Sequence, residues 1–277
     1  MKHVVFYSGG IGSFCAAKRV ADKFGSDDLI LLFTDTKNPN DDHPHSGEDP
    51  DTYCFLSETA RFIGGEFVHL SNGKNIWEIF EQERYMGNSR IDPCSKILKR
   101  LMAKKWVKEN LDPGESVLYY GIGWDEIHRT DRIKKGNEPY RVEFPMIEKP
   151  YLTKRQMIES LPEWIKPPRL YALGFTHNNC GGFCVKGGLG QFKILYEKLP
   201  ERYLYHEEKQ EELFDKIGRK PFPKKMVNGK TGYLSLREYR KMIEEERVDQ
   251  MDLFDIGGCG CFTDMEDEDE QHENFPV

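Results

Sequence analysis

The chain of 277 residues contains no apolar run near 18 residues, the length a helix needs to cross a bilayer, so no membrane span is expected. Its opening, MKHVVFYSGG, lacks a basic stretch followed by an apolar core and a cleavage site. That argues against a secretory leader and for a cytoplasmic location. Cysteine is odd in number: Cys15, Cys54, Cys94, Cys180, Cys184, Cys259 and Cys261. An odd count with no secretion signal argues against a disulfide framework and leaves metal binding or redox chemistry for the clustered thiols. Internal repeats, the Gly-Lys-Ser of a Walker A loop and the Rossmann glycine fingerprint are all missing. The body also lacks an excess of charge. The net −7 is carried by Asp264, Glu266, Asp267, Glu268, Asp269, Glu270 and Glu273, in a tail without Lys or Arg, so residues 1–263 balance to zero. The acidic run, 264–277, reads as a solvated, disordered tail.

What is present suits a soluble α/β protein, with 38% hydrophobic and 31% charged residues. HVVFY, DLILLFTDT, EFVHLS and SVLYYGIG are β-branched and apolar runs and predict four strands. Between them lie segments of helical spacing: Ser13 to Lys23, DPDTYCFLSETARFIGG, NIWEIFEQERY and the basic SKILKRLMAKKWVKENL. Alternation of this kind predicts a parallel sheet covered by helices on both faces. Ligands of such sheets bind beyond the carboxyl ends of the strands. Ser8 to Ser13, Asp35-Thr36 and Gly121 to Glu126 follow strand ends and are expected to converge on one crevice. After residue 145 the texture changes to a Gly- and Cys-dense loop, LYALGFTHNNCGGFCVKGGLGQF, and a charged helical stretch, 193–250, interrupted by GRKPFPKK. The expected division is a core of 1–145, an extension of 146–263 and the tail.

The loop in FYSGGIGSFCAAKRV, residues 6–20, joins the first strand to a helix. Glycines there expose main-chain N–H groups at a helix N-terminus, where the dipole favours an anion, and Ser8 and Ser13 add hydroxyls. With the later FTDT, GNSRIDPCSKILK and GIGWDEIHRTDR segments, it resembles the PP-loop (adenine nucleotide α-hydrolase-like, HUP-type) superfamily. Among its members the phosphoadenosine phosphosulfate (PAPS) reductase-like family is the most similar, over about residues 3–205. The resemblance implies a PP-loop core with a Cys-containing helical C-terminal extension. It implies that Ser8, Gly9, Gly10, Gly12 and Ser13 hold the phosphates of ATP or PAPS, that Asp35 and Thr36 lie near the nucleoside, and that Gly121 opens the loop after the fourth strand. Two positions depart from the family pattern. Gly12 stands where many ATP users carry Asp, and Gly123 where the reductases carry Arg. Arg90 and Arg129 are the best-placed cations for a phosphate fork. Lys99 and Arg100 read as a solvated helix face. Asp125, or Glu126, is a candidate Mg²⁺ holder, since a carboxylate with phosphate oxygens suits that ion.

Cys180 and Cys184 lie in NNCGGFC, a Gly-rich turn able to wrap a metal. Iron–sulfur reductases of the resembled family pair such a late doublet with an early one, where this chain has Cys94-Ser95. The expected sites are a [4Fe–4S] cluster on Cys94, Cys180 and Cys184, with Cys259 or Cys261 as a fourth ligand or one iron left open, or zinc on Cys180, Cys184, Cys259 and Cys261, or reduced thiols. His177 reads as a polar loop residue, and Cys15 and Cys54 as core. Three functions follow. The first is ATP-dependent adenylation with pyrophosphate release, linked to sulfur or nucleic-acid modification. The second is PAPS or adenosine phosphosulfate reduction, with Cys259 or Cys261 as nucleophile. The third is a metal-stapled nucleic-acid-binding module, suggested by basic segments with interleaved aromatics and opposed by the neutral body.

Overall fold

A computed structural model describes residues 1–87, 91–218, 224–227 and 230–248. Arg90, Cys259, Cys261 and the acidic tail lie outside the described residues. Five parallel strands form the central sheet in the order β3-β2-β1-β4-β5: β1 Lys2–Phe6, β2 Leu29–Asp35, β3 Glu66–Ser71, β4 Ser116–Tyr119 and β5 Arg141–Glu143. Every residue of β2 is buried, as expected for a strand covered on both faces.

Alternation along the strands divides the core. Val5, Tyr7, Leu31, Phe33, Val117 and Tyr119 pack with α1 (Ile11–Phe24) and α2 (Pro50–Ile63). Val4, Phe6, Ile30, Leu32, Leu118 and Tyr120 pack on the other face, with Ala103 and Val107. This is the period of two that a pleated strand imposes. α3 spans Ile76–Gln82, closed at its start by an Asn75–Glu78 capping box. α4 runs through Pro93–Ser95, a π-helical turn at Lys96–Leu101 and Met102–Asn110. α5 (Thr130–Gly136) supplies Ile133 to the second face.

The remaining helices are α6 (Lys154–Glu159), α7 (Arg169–Ala172), α8 (Leu189–Lys198), α9 (Pro200–Ile217) and α10 (Leu236–Glu244). A third cluster joins α3, through Ile76, Trp77, Ile79 and Phe80, to Phe183, Phe192, Leu195, Tyr203 and Tyr239. The Cys-bearing loop is therefore seated against the side of the core rather than strung beyond it. A hairpin, β6 (Lys224–Val227) with β7 (Lys230–Tyr233), interrupts the region that reads as charged helix from sequence. No helix among the described residues is long and apolar enough to cross a membrane.

Candidate functional site

The strand order reverses direction between β1 and β4, and that switch point is where an open α/β sheet leaves a crevice. A cleft of about 420 Å³ lies there, within the range of small-molecule sites. Its floor is Ser8, Gly10, Ile11, Gly12 and Ser13; one wall is Gly121 to Glu126 with Arg129. The facing wall brings Thr153, Lys154, Tyr171 and Thr176 to Asn179. Ser8, Gly10, Gly12, Ser13, Gly121, Asp125 and Arg129 thus come together as the sequence predicts. Gly9 sits behind them with φ +78°, where a Cβ would lie 2.7 Å from Thr52 Cγ2.

α1 begins at Gly10 with no side-chain cap and no acid in its first turn. α8 begins in the same way at Gly188, whereas α2, α3 and α10 each have a side chain that accepts from a first-turn N–H; what sets α1 apart is that its start lines the cleft. The Ile11 N–H donates to the Tyr171 hydroxyl at 3.1 Å. Ser13 Oγ donates to the Gly10 carbonyl at 2.8 Å and lies 3.3 Å from Ser8 Oγ. A positive helix end left without a counter-charge, at the floor of a cleft, is suited to an anion.

Gly12 has a local physical reason. Its Cβ would lie 3.1 Å from the Gly121 carbonyl oxygen, and a Cβ on Gly121 would lie 2.8 Å from Ser13 N. The loop after β4 touches the start of α1 backbone to backbone: Gly121 has no room for a Cβ, and at Gly12 one fits only if the Gly121 carbonyl yields by a few tenths of an ångström. On the wall, Glu126 pairs with Arg129 at 2.6 Å. Burial pushes the Glu126 carboxyl up, Arg129 pulls it back and Asp125 adds to the rise. Asp125 is exposed on the cleft's edge, a setting open to Mg²⁺ with phosphate oxygens. Two buried atoms of the facing wall, Thr176 Oγ1 and Asn179 Oδ1, have no hydrogen-bond partner among the described residues.

Asp35 and Thr36 fall elsewhere. Neither lines the cleft. Asp35 accepts from the Tyr53 hydroxyl at 2.8 Å, the Lys37 N–H at 3.0 Å and His69 Nε2 at 3.0 Å. Burial alone would raise its carboxyl, but these donors outweigh it and hold the group below the usual carboxylate range. Thr36 lines a second, small cavity together with Cys94, Cys180 and Cys184. The three cysteines nominated for a metal therefore meet at one void, walled by Ile76, Phe80, Phe183 and Val185. Its volume is about 10 Å³, room for a water-sized body. Among the described residues no three His, Cys, Asp or Glu are placed to hold a metal ion. The thiols suit a soft metal, but the void as folded does not admit a four-iron cube.

Lys99 and Arg100 correct the sequence reading of a solvated face, with exposures of 5% and 7%. The π turn adds a residue to the helical repeat and rotates its neighbours, and such turns recur at functional sites. Lys99 pairs with Glu48 at 3.2 Å, and Asp92 faces both Arg100 at 3.4 Å and Lys186 at 3.6 Å. Lys99 lines both the cleft and the cysteine cavity. Cys15 is core, as expected, but Cys54 is exposed, on the solvent side of α2. Sequence reasoning missed Tyr171, Lys154 and Asn178 in the cleft. The Asn-Asn pair beside Cys180 was the available signal.

Sheet order, switch-point cleft and uncapped helix define the class: an α/β protein with a Rossmann-like parallel core, compatible with a PP-loop fold. No protein-family model matches the chain, and no curated protein matches it.

Proposed function

We propose that this chain is a PP-loop-type nucleotide-binding enzyme that takes ATP or PAPS in the switch-point cleft. The uncapped start of α1, opening on that cleft between Ser8 and Ser13, carries the reading. In the leading form it adenylates a substrate in sulfur or nucleic-acid modification. A substrate nucleophile attacks the α-phosphorus of ATP, the bond to the bridging oxygen breaks, and pyrophosphate leaves. The main-chain donors of the loop, the hydroxyls of Ser8 and Ser13, and Arg129 and Lys154 would stabilise the charge on the transferred and leaving phosphates. Asp125 would hold Mg²⁺ against those oxygens.

Reduction of PAPS is the second reading. It is favoured by Lys99, which lines both the cleft and the cavity of Cys94, Cys180 and Cys184. Cys94, Cys180 and Cys184 enter this reading as reduced thiols, and no step is routed through a metal. The deciding experiment follows pyrophosphate release from Mg-ATP and sulfite release from PAPS with thioredoxin. Release of pyrophosphate supports the first reading and sulfite the second. A protein that binds neither nucleotide overturns both.

A further inference from the structure

One stretch, Thr176 to Cys184, serves two cavities. Thr176, His177, Asn178 and Asn179 line the cleft, while Cys180, Phe183 and Cys184 line the cysteine void. The chain changes direction between them in an uncommon conformation. Cys180, Gly181 and Gly182 follow one another at φ +46°, +59° and +90°. Cys180 adopts this as a non-glycine residue, a conformation that persists only where its surroundings impose it.

Both sides of the turn are held. On the cleft side, Asn178 Nδ2 donates to the Gly9 carbonyl at 2.9 Å, and its Oδ1 accepts from Thr52 Oγ1 at 3.2 Å. On the far side, Gly181 presses on the buried Arg202 guanidinium, where a Cβ would come far inside van der Waals contact. Arg202 in turn donates to the carbonyls of Pro44, His45 and Gly47. A shift of the Gly9 carbonyl has a direct route, through one amide side chain, into the backbone two residues from Cys180.

We infer that Asn178 is a positioning residue that couples nucleotide occupancy of the Ser8–Ser13 loop to the reactivity of Cys180 and Cys184. The inference rests on the nucleotide reading above. When the loop closes on phosphates, the Gly9 carbonyl is fixed, Asn178 is fixed with it, and the strained turn that carries both thiols opens less often. A coupling of ordinary size corresponds to about tenfold in rate.

The test is peptide-resolved alkylation by iodoacetamide on the full chain, with exposed Cys54 as internal control, run beside a calorimetric titration of Mg-ATP and PAPS. The variant is Asn178→Asp. It is nearly isosteric and still accepts from Thr52, but it has no N–H for Gly9. In the wild type, saturating nucleotide should slow alkylation of Cys180 and Cys184 about tenfold and leave Cys54 unchanged. In Asn178→Asp both thiols should react about tenfold faster without nucleotide, and nucleotide should protect them less than about twofold. Wild-type protein that binds nucleotide with no change at either thiol overturns the inference alone, as does a variant with wild-type protection. A titration that shows no nucleotide binding overturns the underlying reading together with this coupling. Asn178→Ala, which removes both hydrogen bonds, should behave as Asn178→Asp does. A normal nucleotide response in that variant would also refute the coupling.

Discussion

Placing a methyl group at Gly121 probes the contact on which the cleft is built. An ideal Cβ there would lie 2.8 Å from Ser13 N and 2.9 Å from both the carbonyl carbon and oxygen of Gly12. Non-bonded heavy atoms settle near about 3.5 Å. All three contacted atoms are backbone, so no side chain can swing aside, and the loops after β1 and β4 must part by about half an ångström or more. Overpacking of this kind costs about 1–3 kcal/mol. For a chain of this size that is a fall in Tm of about 2–10 °C. The same displacement moves the Ser13 N–H relative to any phosphate on the loop, and geometric errors near this size cost about tenfold to a hundredfold.

Two neighbouring glycines make controls. At Gly12 the Cβ would meet only the Gly121 oxygen, at 3.1 Å, and replacing Gly by Ala inside a helix returns about 0.5–1 kcal/mol. At Gly10 the nearest atoms lie at 3.4 and 3.6 Å, so Ala there should change stability by less than about 0.5 kcal/mol. The assay is thermal unfolding of Gly121→Ala, Gly12→Ala and Gly10→Ala, with nucleotide titration of each. The expected order of destabilisation is Gly121 first, Gly12 next and Gly10 last. A Gly121→Ala protein that melts like wild type refutes the close approach. One that is destabilised yet binds nucleotide with unchanged affinity refutes the placement of the phosphates.

Further outcomes are expected elsewhere in the molecule. Lys99→Met leaves Glu48 buried beside an apolar chain and should cost about 3–5 kcal/mol, read from urea unfolding; loss of less than about 1 kcal/mol would mean that the pair is not buried in solution. His206 is buried, accepts from Trp77 Nε1–H at 3.1 Å, and stacks on Phe183 at 3.8 Å. Burial, reinforced by Arg202, His45 and His43, holds its pKa well below 6.5. The folded state therefore excludes a proton that the unfolded chain accepts, and stability present above pH 6.5 should be lost as pH falls below it. Urea midpoints between pH 7.5 and about 5 would show this, and His206→Phe should flatten the slope. Asp35 is also depressed, so its contribution holds above its ordinary value of 3.8 and is lost as pH falls through the lower folded value; Asp35→Asn should remove that acid-limb component of urea unfolding. The cavity of Cys94, Cys180 and Cys184 is only about 10 Å³, so anaerobic purification with metal analysis should find neither an iron band near about 400 nm nor zinc there; one equivalent of either metal would contradict that packing.

The parts of the fold legible in the sequence were those set by local pattern. The apolar runs of β1, β2 and β4, alternating with helical segments, announce a parallel sheet, and Gly64-Gly65 ends α2 where the sequence predicts. β5 is three residues long and bounded by Arg141 and Glu143, too short and too charged to register as a period. The β6–β7 hairpin is rich in lysine, and no strand pattern marks it. For the site, the Ser8–Ser13 loop was legible because glycine at a strand-to-helix turn has few uses. The meeting of Cys94 with Cys180 and Cys184 was legible through a resemblance. Three features were not legible because their causes are non-local. The carboxylate of Asp35 is taken by Tyr53 and His69 from neighbouring elements. The inward turn of Lys99 depends on a π turn and on Glu48. Asn178 finds Gly9 across the fold.

Everything proposed for the cleft depends on the Ser8–Ser13 loop holding phosphates at the β1–β4 switch point. Calorimetric titration of Mg-ATP and of PAPS into the wild type and into a Ser8→Ala, Gly10→Ala double variant decides whether it does. The expected result is one-to-one binding of one nucleotide to the wild type, weakened about tenfold or more in the variant. Equal affinity in the two proteins, or no binding to either, would contradict it.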